Sequence, residues 1–342
     1  MRSTVTLITG AGGEIGHGLI TRLHAAGHQI VTIDLAALAP ELSRLVVREF
    51  TGSITDPLLL ERVLAQFEID LVFHLAALLS TRSEFTPLTA HQVNVDGTLN
   101  LLEFAQREGD SHGRTVTFLY PSSIAVYGLP DAQTRARAVA VGEDEWNLPQ
   151  TMYGCNKLYC EHLGAYYSRH YKQLAVNTAP RVDFRCVRFP GLVSADTEPS
   201  GGTSDYVPEM VHAAAQRKPY ACFVRPDTRI PLMAMPDAID ALIQLAAAPG
   251  DRLTRTAYNT MAFNPTAAEI HAVVQRAFPD ATMTWAIDDK RQRIVDSWPA
   301  GVDDRTARHD WSFSPMFDSW GRAFDEYLVP RIRERHRTQH RP

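Results

Sequence analysis

Thr9-Gly10-Ala11-Gly12-Gly13-Glu14-Ile15-Gly16 decides the reading of this chain. An apolar run, Thr4–Thr9, precedes it, and an amphipathic stretch, Glu14–Ala26, follows it. Glycines at 10, 13 and 16 permit a tight turn, close approach of a pyrophosphate to the backbone, and packing of helix on strand. The helix N-terminus then offers N–H groups and the positive end of its dipole to phosphates. A glycine pattern alone is weak, but its place between a strand and a helix makes it specific. Asp34 ends the next apolar run, Gln29–Asp34. A carboxylate there accepts hydrogen bonds from a ribose 2′-hydroxyl and repels a 2′-phosphate. The expected cofactor is therefore NAD rather than NADP. Arg44 and Arg48 are the nearest basic residues.

Outward from this unit the alternation continues. Strands are expected at Leu45–Phe50, Asp70–Leu75, Arg114–Ser122 and Val182–Phe189. Between them, Asp56-Pro57 opens a helix with an N-cap carboxylate and a proline in the first turn. Long helices are expected at Pro87–Arg107 and Thr151–Tyr171, and an exposed loop at Gln173–Arg181. Nearly continuous Val/Ile/Leu strands between helices imply a parallel sheet covered on both faces. The expected fold is α/β: a Rossmann-type doubly wound parallel sheet with a smaller C-terminal substrate lobe. Residues 1–189 would bind the cofactor and 229–258 would return to that unit. Residues 190–228 and 259–330 would form the second lobe, with helices at Tyr206–Gln216, Pro236–Ala248 and Thr266–Phe278. The tail 331–342, with five arginines in twelve residues, reads as a frayed, solvated helix end.

Composition excludes several classes of function. The chain has 342 residues, 45% hydrophobic and 21% charged, with a formal charge of −5. Such a balance gives no global field for nucleic acid or an anionic membrane. No apolar run approaches the roughly 20 residues of a membrane helix, and Met-Arg-Ser leading straight into Val5–Ile8 gives the expectation of no signal peptide. Cys155, Cys160, Cys186 and Cys222 form no C-x-x-C pair and are too few for a disulfide framework. A reduced, cytoplasmic protein is expected. The thirteen histidines form no H-E-x-x-H pattern, so no metal is expected; His74 reads as a satisfied core histidine.

The chemistry is expected at Tyr153-Gly154-Cys155-Asn156-Lys157. Positions i and i+4 share a helical face, and an ammonium beside a phenol favours phenolate. Tyr153 thus becomes a candidate base. Ser122 and Ser123 end the fifth strand, at the carboxyl edge where ligands bind in such sheets. A hydroxyl at Ser123 can donate to a substrate oxygen, whereas Ser122 also reads as a simple strand-end cap.

These stretches, with His74-Leu75-Ala76-Ala77 and Asn94 in Gln92–Thr98, resemble the extended short-chain dehydrogenase/reductase family over nearly the whole chain. The resemblance implies that Tyr153 is the base, Lys157 its partner and a ribose ligand, and Ser123 the hydroxyl donor. It places Asn94 in a proton-relay helix, and Gly10, Gly13, Glu14, Ile15, Asp34, Leu75, Ala76, Ala77, Ser122 and Pro190 along NAD. Where members often carry an adenine-contacting aspartate, this chain has Ser53 and Ile54, so that contact would come from a hydroxyl or the backbone.

The second half is similar to short-chain L-threonine 3-dehydrogenases in four ordered blocks: Arg188–Leu192, Ser200–Tyr206, Arg229–Ala238 and Asp296–Trp311. That resemblance implies NAD-dependent oxidation of the 3-hydroxyl of L-threonine or a similar small β-hydroxy acid. Ser80, Thr203 and Ser204 or backbone N–H groups could take the carboxylate, and Asp205 or a backbone carbonyl the ammonium. Arg82 departs from the family's small residue at this loop and could tighten a carboxylate or admit a larger acid. The segment Asp131–Asn147 is long and charged, a lid or surface decoration. The alternative is a nucleotide-sugar epimerase or dehydratase with retained NAD. The resemblance also implies a homodimer through the long helices near 87–107 and 151–171.

Overall fold

The structure is a computed structural model and describes residues 4–339 apart from 177, 198, 200 and 201. Ser200 and Gly201, which open the second of the four blocks, and residues 340–342 of the tail therefore lie outside the described residues.

The main sheet contains β1 (Val5–Thr9), β2 (Gln29–Asp34), β3 (Arg48–Thr51), β4 (Leu71–His74), β5 (Val116–Ser123) and β6 (Val182–Phe189). Beyond these come β7 (Gly191–Val193), β8 (Tyr220–Cys222), β9 (Leu232–Ala234), β10 (Ala257–Asn259) and β11 (Met283–Trp285). The seven-stranded order is β10-β6-β5-β4-β1-β2-β3, and every pairing is parallel. The order reverses beside β1, which opens a crevice at the carboxyl edge of the sheet. Two small parallel pairs, β7 with β9 and β8 with β11, belong to the second half.

Both faces of the sheet are buried. Leu7, Val31, Val72 and Phe118 pack with residues of the helices Pro57–Leu64, Gly97–His112 and Met152–Arg169. Ile8, Ile30, Phe73 and Leu119 face the helices Glu14–Ala25 and Met235–Ala247. A wholly buried Leu, Ile or Val is worth about 1.5–3 kcal/mol, which accounts for the apolar character of the strands. A third cluster lies in the second half, around Tyr206, Met210, Val224, Trp320 and Phe324.

Four expectations differ from the structure. The third strand begins at Arg48 rather than Leu45, because the turn after the helix Pro40–Ser43 still holds Leu45 and Val46. The long helix beginning at Pro87 runs to His112 and contains a π turn at Gln92–Asp96. The segment 131–147 is neither an open lid nor loose decoration. Asp131 caps a short helix, Arg135 donates to the Trp298 and Arg229 carbonyls, and the Glu143 carboxylate receives the Asn259 amide at 3.1 Å. The tail is docked: a helix spans Val329–Gln339, with Val329 and Ile332 buried in the second-half core.

Candidate active site

A cleft of about 1050 Å³ opens at the carboxyl ends of β1, β2, β4, β5 and β6. Gly10, Gly13, Glu14 and Ile15 form its floor. Gly10 has φ of 67°, and a Cβ there would stand 2.7 Å from the Ala76 amide nitrogen. The loop can approach the strand β4 edge, and a ligand can approach the loop, only with glycine at this position. Asp34 reaches back across the crevice, its Oδ2 accepting from the Gly12 amide at 2.9 Å. Ser53 and Ile54 line the outer wall; the Ser53 hydroxyl is shared with Thr55 at 2.7 Å. Leu75, Ala76 and Ala77 line the far side.

These residues fit NAD. Glycine leaves room for a pyrophosphate at a helix N-terminus, and a carboxylate ends β2 where a ribose would lie. Neither Arg44 nor Arg48 lines the cleft; Arg48 instead covers the Phe50 ring at 5.6 Å.

The reactive groups come from β5 and from the helix Met152–Arg169. That helix starts at Thr151, whose hydroxyl accepts from the Gly154 amide at 3.0 Å. The Met152 amide donates to Glu84 at 2.7 Å. Tyr153 and Lys157 project from the first turns and line the cleft with Ser122, Ser123 and Pro190. The Ser123 hydroxyl accepts from the Ala125 amide at 3.2 Å, which leaves its proton available to donate. The Ser122 hydroxyl is buried and has no partner among the described residues.

The electrostatics correct one expectation. Lys157 Nζ lies 5.5 Å from the centroid of Tyr153 and 4.4 Å from that of Tyr120, and donates to the Pro121 carbonyl at 2.6 Å. Burial brings the ammonium down to about 8. Burial also pushes the Tyr153 phenol above its ordinary value instead of lowering it. Desolvation of the phenolate therefore outweighs the ammonium in the protein alone.

Asn94 does not line the cleft. Its amide sits behind the β4 loop, accepting from the Leu78 amide at 2.8 Å and donating to the Leu78 carbonyl at 3.1 Å. It reaches Asn156 at 3.4 Å, beside Lys157. The π turn at Gln92–Asp96 carries Asn94.

On the substrate side, Ser80, Arg82, Ser204 and Asp205 line the cleft. Thr203 does not; it is buried, and its hydroxyl donates to Ser80 at 3.4 Å. Met235 and Trp298 also line the cleft, without having been read as site residues. Trp298 stands inside a block that signalled resemblance, but a lone aromatic gives no sign of where its ring points.

Sequence reasoning also missed a buried chain of hydroxyls around His74. Thr98 donates to the Asn94 carbonyl at 2.6 Å, so its oxygen accepts from His74 Nε2 at 2.9 Å. His74 Nδ1 then accepts from Thr9 at 2.8 Å, and the Thr9 oxygen receives the Ala76 amide at 3.4 Å. This order fixes a neutral imidazole with its proton on Nε2. Burial and the Lys157 charge depress His74 to about 3. Among the described residues no group of three or more His, Cys, Asp or Glu could hold a metal ion. No helix among them is long and apolar enough to cross a membrane.

Residues 6–260 match the NAD dependent epimerase/dehydratase family. Mitochondrial L-threonine 3-dehydrogenase of Bos taurus is 32% identical over 313 residues, covering 91% of this chain and 79% of the relative. L-threonine dehydrogenase from Clostridium difficile superposes with a TM-score of 0.84 at 30% identity, covering 98% of this chain and 99% of its own. A monomeric L-threonine 3-dehydrogenase from a metagenome superposes at 0.82 with 33% identity, covering 96% and 99%. With the glycine floor, the Asp34 carboxylate and the Tyr153–Lys157 helix on one cleft, the chain belongs to the NAD dependent epimerase/dehydratase family and is an NAD-dependent oxidoreductase.

Proposed function

We propose that this enzyme oxidises the 3-hydroxyl of L-threonine or a similar small β-hydroxy acid to the 3-ketone. The observation that carries the reading is that Ser123, Tyr153 and Lys157 share one cleft with the glycine turn after β1 and with Asp34, the residues that fit NAD. The likeness to threonine dehydrogenases over nearly the whole chain supports the choice of substrate. Bound NAD supplies the acceptor for the C3 hydrogen and its electron pair. The Tyr153 oxygen takes the hydroxyl proton, and the Ser123 hydroxyl donates to the same substrate oxygen. The Lys157 ammonium offsets the negative charge on the phenolate, the role it needs most because burial opposes that charge. Ser80, Arg82, Ser204 and Asp205 would face the amino-acid head group, with Thr203 supporting Ser80.

We assign residues 1–189 and 229–258 to the cofactor unit and 190–228 with 259–330 to the substrate lobe. We also infer a homodimer through the helices at 87–112 and 152–169, where Leu88, Leu99, Tyr159 and Tyr166 are exposed.

The test is a screen of β-hydroxy amino acids and sugar nucleotides, read by absorbance of the reduced cofactor. L-Threonine should give net reduced cofactor, and Tyr153→Phe should cut turnover by about 100-fold or more with NAD affinity retained. Activity only on sugar nucleotides, or full activity in Tyr153→Phe, would overturn the reading.

A further inference from the structure

Among the described residues, the cations that line the cleft are Arg82 and Lys157. Lys157 is held by the Pro121 carbonyl. The Arg82 guanidinium is exposed at the cleft and has no hydrogen-bond or ion-pair partner among the described residues, although the short helix that carries it, Ser80–Phe85, is fixed on several sides. Ser83 donates to the Leu78 carbonyl at 3.0 Å. Glu84 accepts the Met152 amide at 2.7 Å, which ties this helix to the one bearing Tyr153. Thr86 donates to the Arg82 carbonyl at 2.9 Å. A rigid backbone thus presents an uncommitted guanidinium, with five donors in a planar fork, to a ligand cleft.

The neighbouring neutral donors are partly committed. Thr203 is turned away from the cleft and spends its proton on Ser80. That same bond brings the Ser80–Phe85 helix against the turn at 202–205, so Arg82 and Asp205 each lie two residues from the point of contact. A cation and an anion therefore flank one end of the cleft.

We propose that Arg82 is a specificity-determining residue that pairs with the carboxylate of the substrate, so that the site requires an acid where neutral hydroxyls would also accept an amide. This rests on the reading of a small hydroxy acid as substrate. The same guanidinium chemistry would also suit a cofactor phosphate, so the test separates the two sources.

The full-length enzyme loaded with reduced cofactor is titrated calorimetrically with L-2-aminobutyrate, which keeps the carboxylate and ammonium but lacks the 3-hydroxyl, and with its carboxamide. Arg82→Gln should weaken aminobutyrate binding by about tenfold or more and leave the carboxamide and the reduced cofactor within about twofold. Arg82→Lys should recover part of the loss. In turnover, Arg82→Gln should raise KM for L-threonine with little change in kcat. Equal losses for acid and amide, no loss for either, or weaker binding of the cofactor itself would overturn the proposal; the last result would give Arg82 to the pyrophosphate. If aminobutyrate binding depends on Arg82 but no hydroxy acid is oxidised, the carboxylate site stands and the proposed reaction falls. If threonine is oxidised and binding is indifferent to Arg82, the reverse holds.

Discussion

Asp34 Oδ2 accepts a hydrogen bond from the Gly12 amide at 2.9 Å, so the carboxylate expected to read the ribose also braces the phosphate loop. The two roles separate by substitution. Asn at this position keeps an acceptor for the loop but removes the charge that repels a 2′-phosphate, whereas Ala removes both. Asp34→Asn should therefore lower the preference for NAD over NADP by about tenfold or more with a modest loss of NAD affinity. Asp34→Ala should lose the preference and much of the NAD affinity together. Kd values for both cofactors in the two variants decide it. An unchanged NAD to NADP ratio in both would remove Asp34 from the ribose.

Two glycines with the same backbone sign make opposite predictions. Gly10 and Gly113 have φ of 67° and 73°. A Cβ at Gly10 would meet backbone atoms at Ala76 and Leu75 between 2.7 and 2.9 Å, whereas one at Gly113 would meet nothing within 4 Å. Gly113→Ala should cost only the left-handed penalty, about 1–2 kcal/mol, and leave cofactor binding unchanged. Gly10→Ala should cost more and weaken NAD binding sharply, because the wall is backbone and cannot rotate away. Denaturation and cofactor titration of the two variants, side by side, provide the check.

The glycine loop, Asp34 and the Tyr153–Lys157 pair were legible in the sequence because each is local: its chemistry depends on spacings of a few residues along one element. What escaped depends on distant partners. His74 gains its two hydroxyls from positions 65 and 24 residues away. Thr203 turns inward because it meets Ser80, 123 residues earlier. The direction of the Tyr153 shift depended on how much water the folded chain excludes, which no spacing encodes. The docked tail was hidden by its arginines: Ile332 is one apolar residue in a charged run, and only the fold supplies the core that it enters.

His74 should leave a signature in the pH dependence of stability. Its folded value is about 3 against 6.5 for the free side chain. Between those values the unfolded chain binds a proton that the folded chain refuses, so stability is present above pH 6.5 and is lost as pH falls toward 3. The slope from this one group approaches about 1.4 kcal/mol per pH unit. His74→Gln supplies an acceptor and a donor without a group that titrates there. Chemical denaturation of both proteins between pH 4.5 and 7 should show a shallower fall in the variant, about one proton less. Parallel curves would mean that the histidine is not held neutral.

The C-terminal helix is held by packing rather than by its arginines. Ile332 is fully buried among second-half core residues, while the Arg331–Asp196 pair at 3.4 Å is well exposed on both sides. Exposed pairs contribute at most about 1 kcal/mol and are screened by salt, whereas truncating a buried isoleucine to alanine costs about 2–5 kcal/mol. Ile332→Ala should therefore lower the melting temperature by several degrees, and Arg331→Ala should hardly move it. The effect should also reach the cleft. The same part of the chain supplies Tyr327, whose hydroxyl accepts the Ala195 amide at 3.1 Å, and the adjacent Ser194 donates to Glu14 on the cofactor side. Loosening the helix should weaken NAD binding in Ile332→Ala but not in Arg331→Ala, which cofactor titration below the melting range would show.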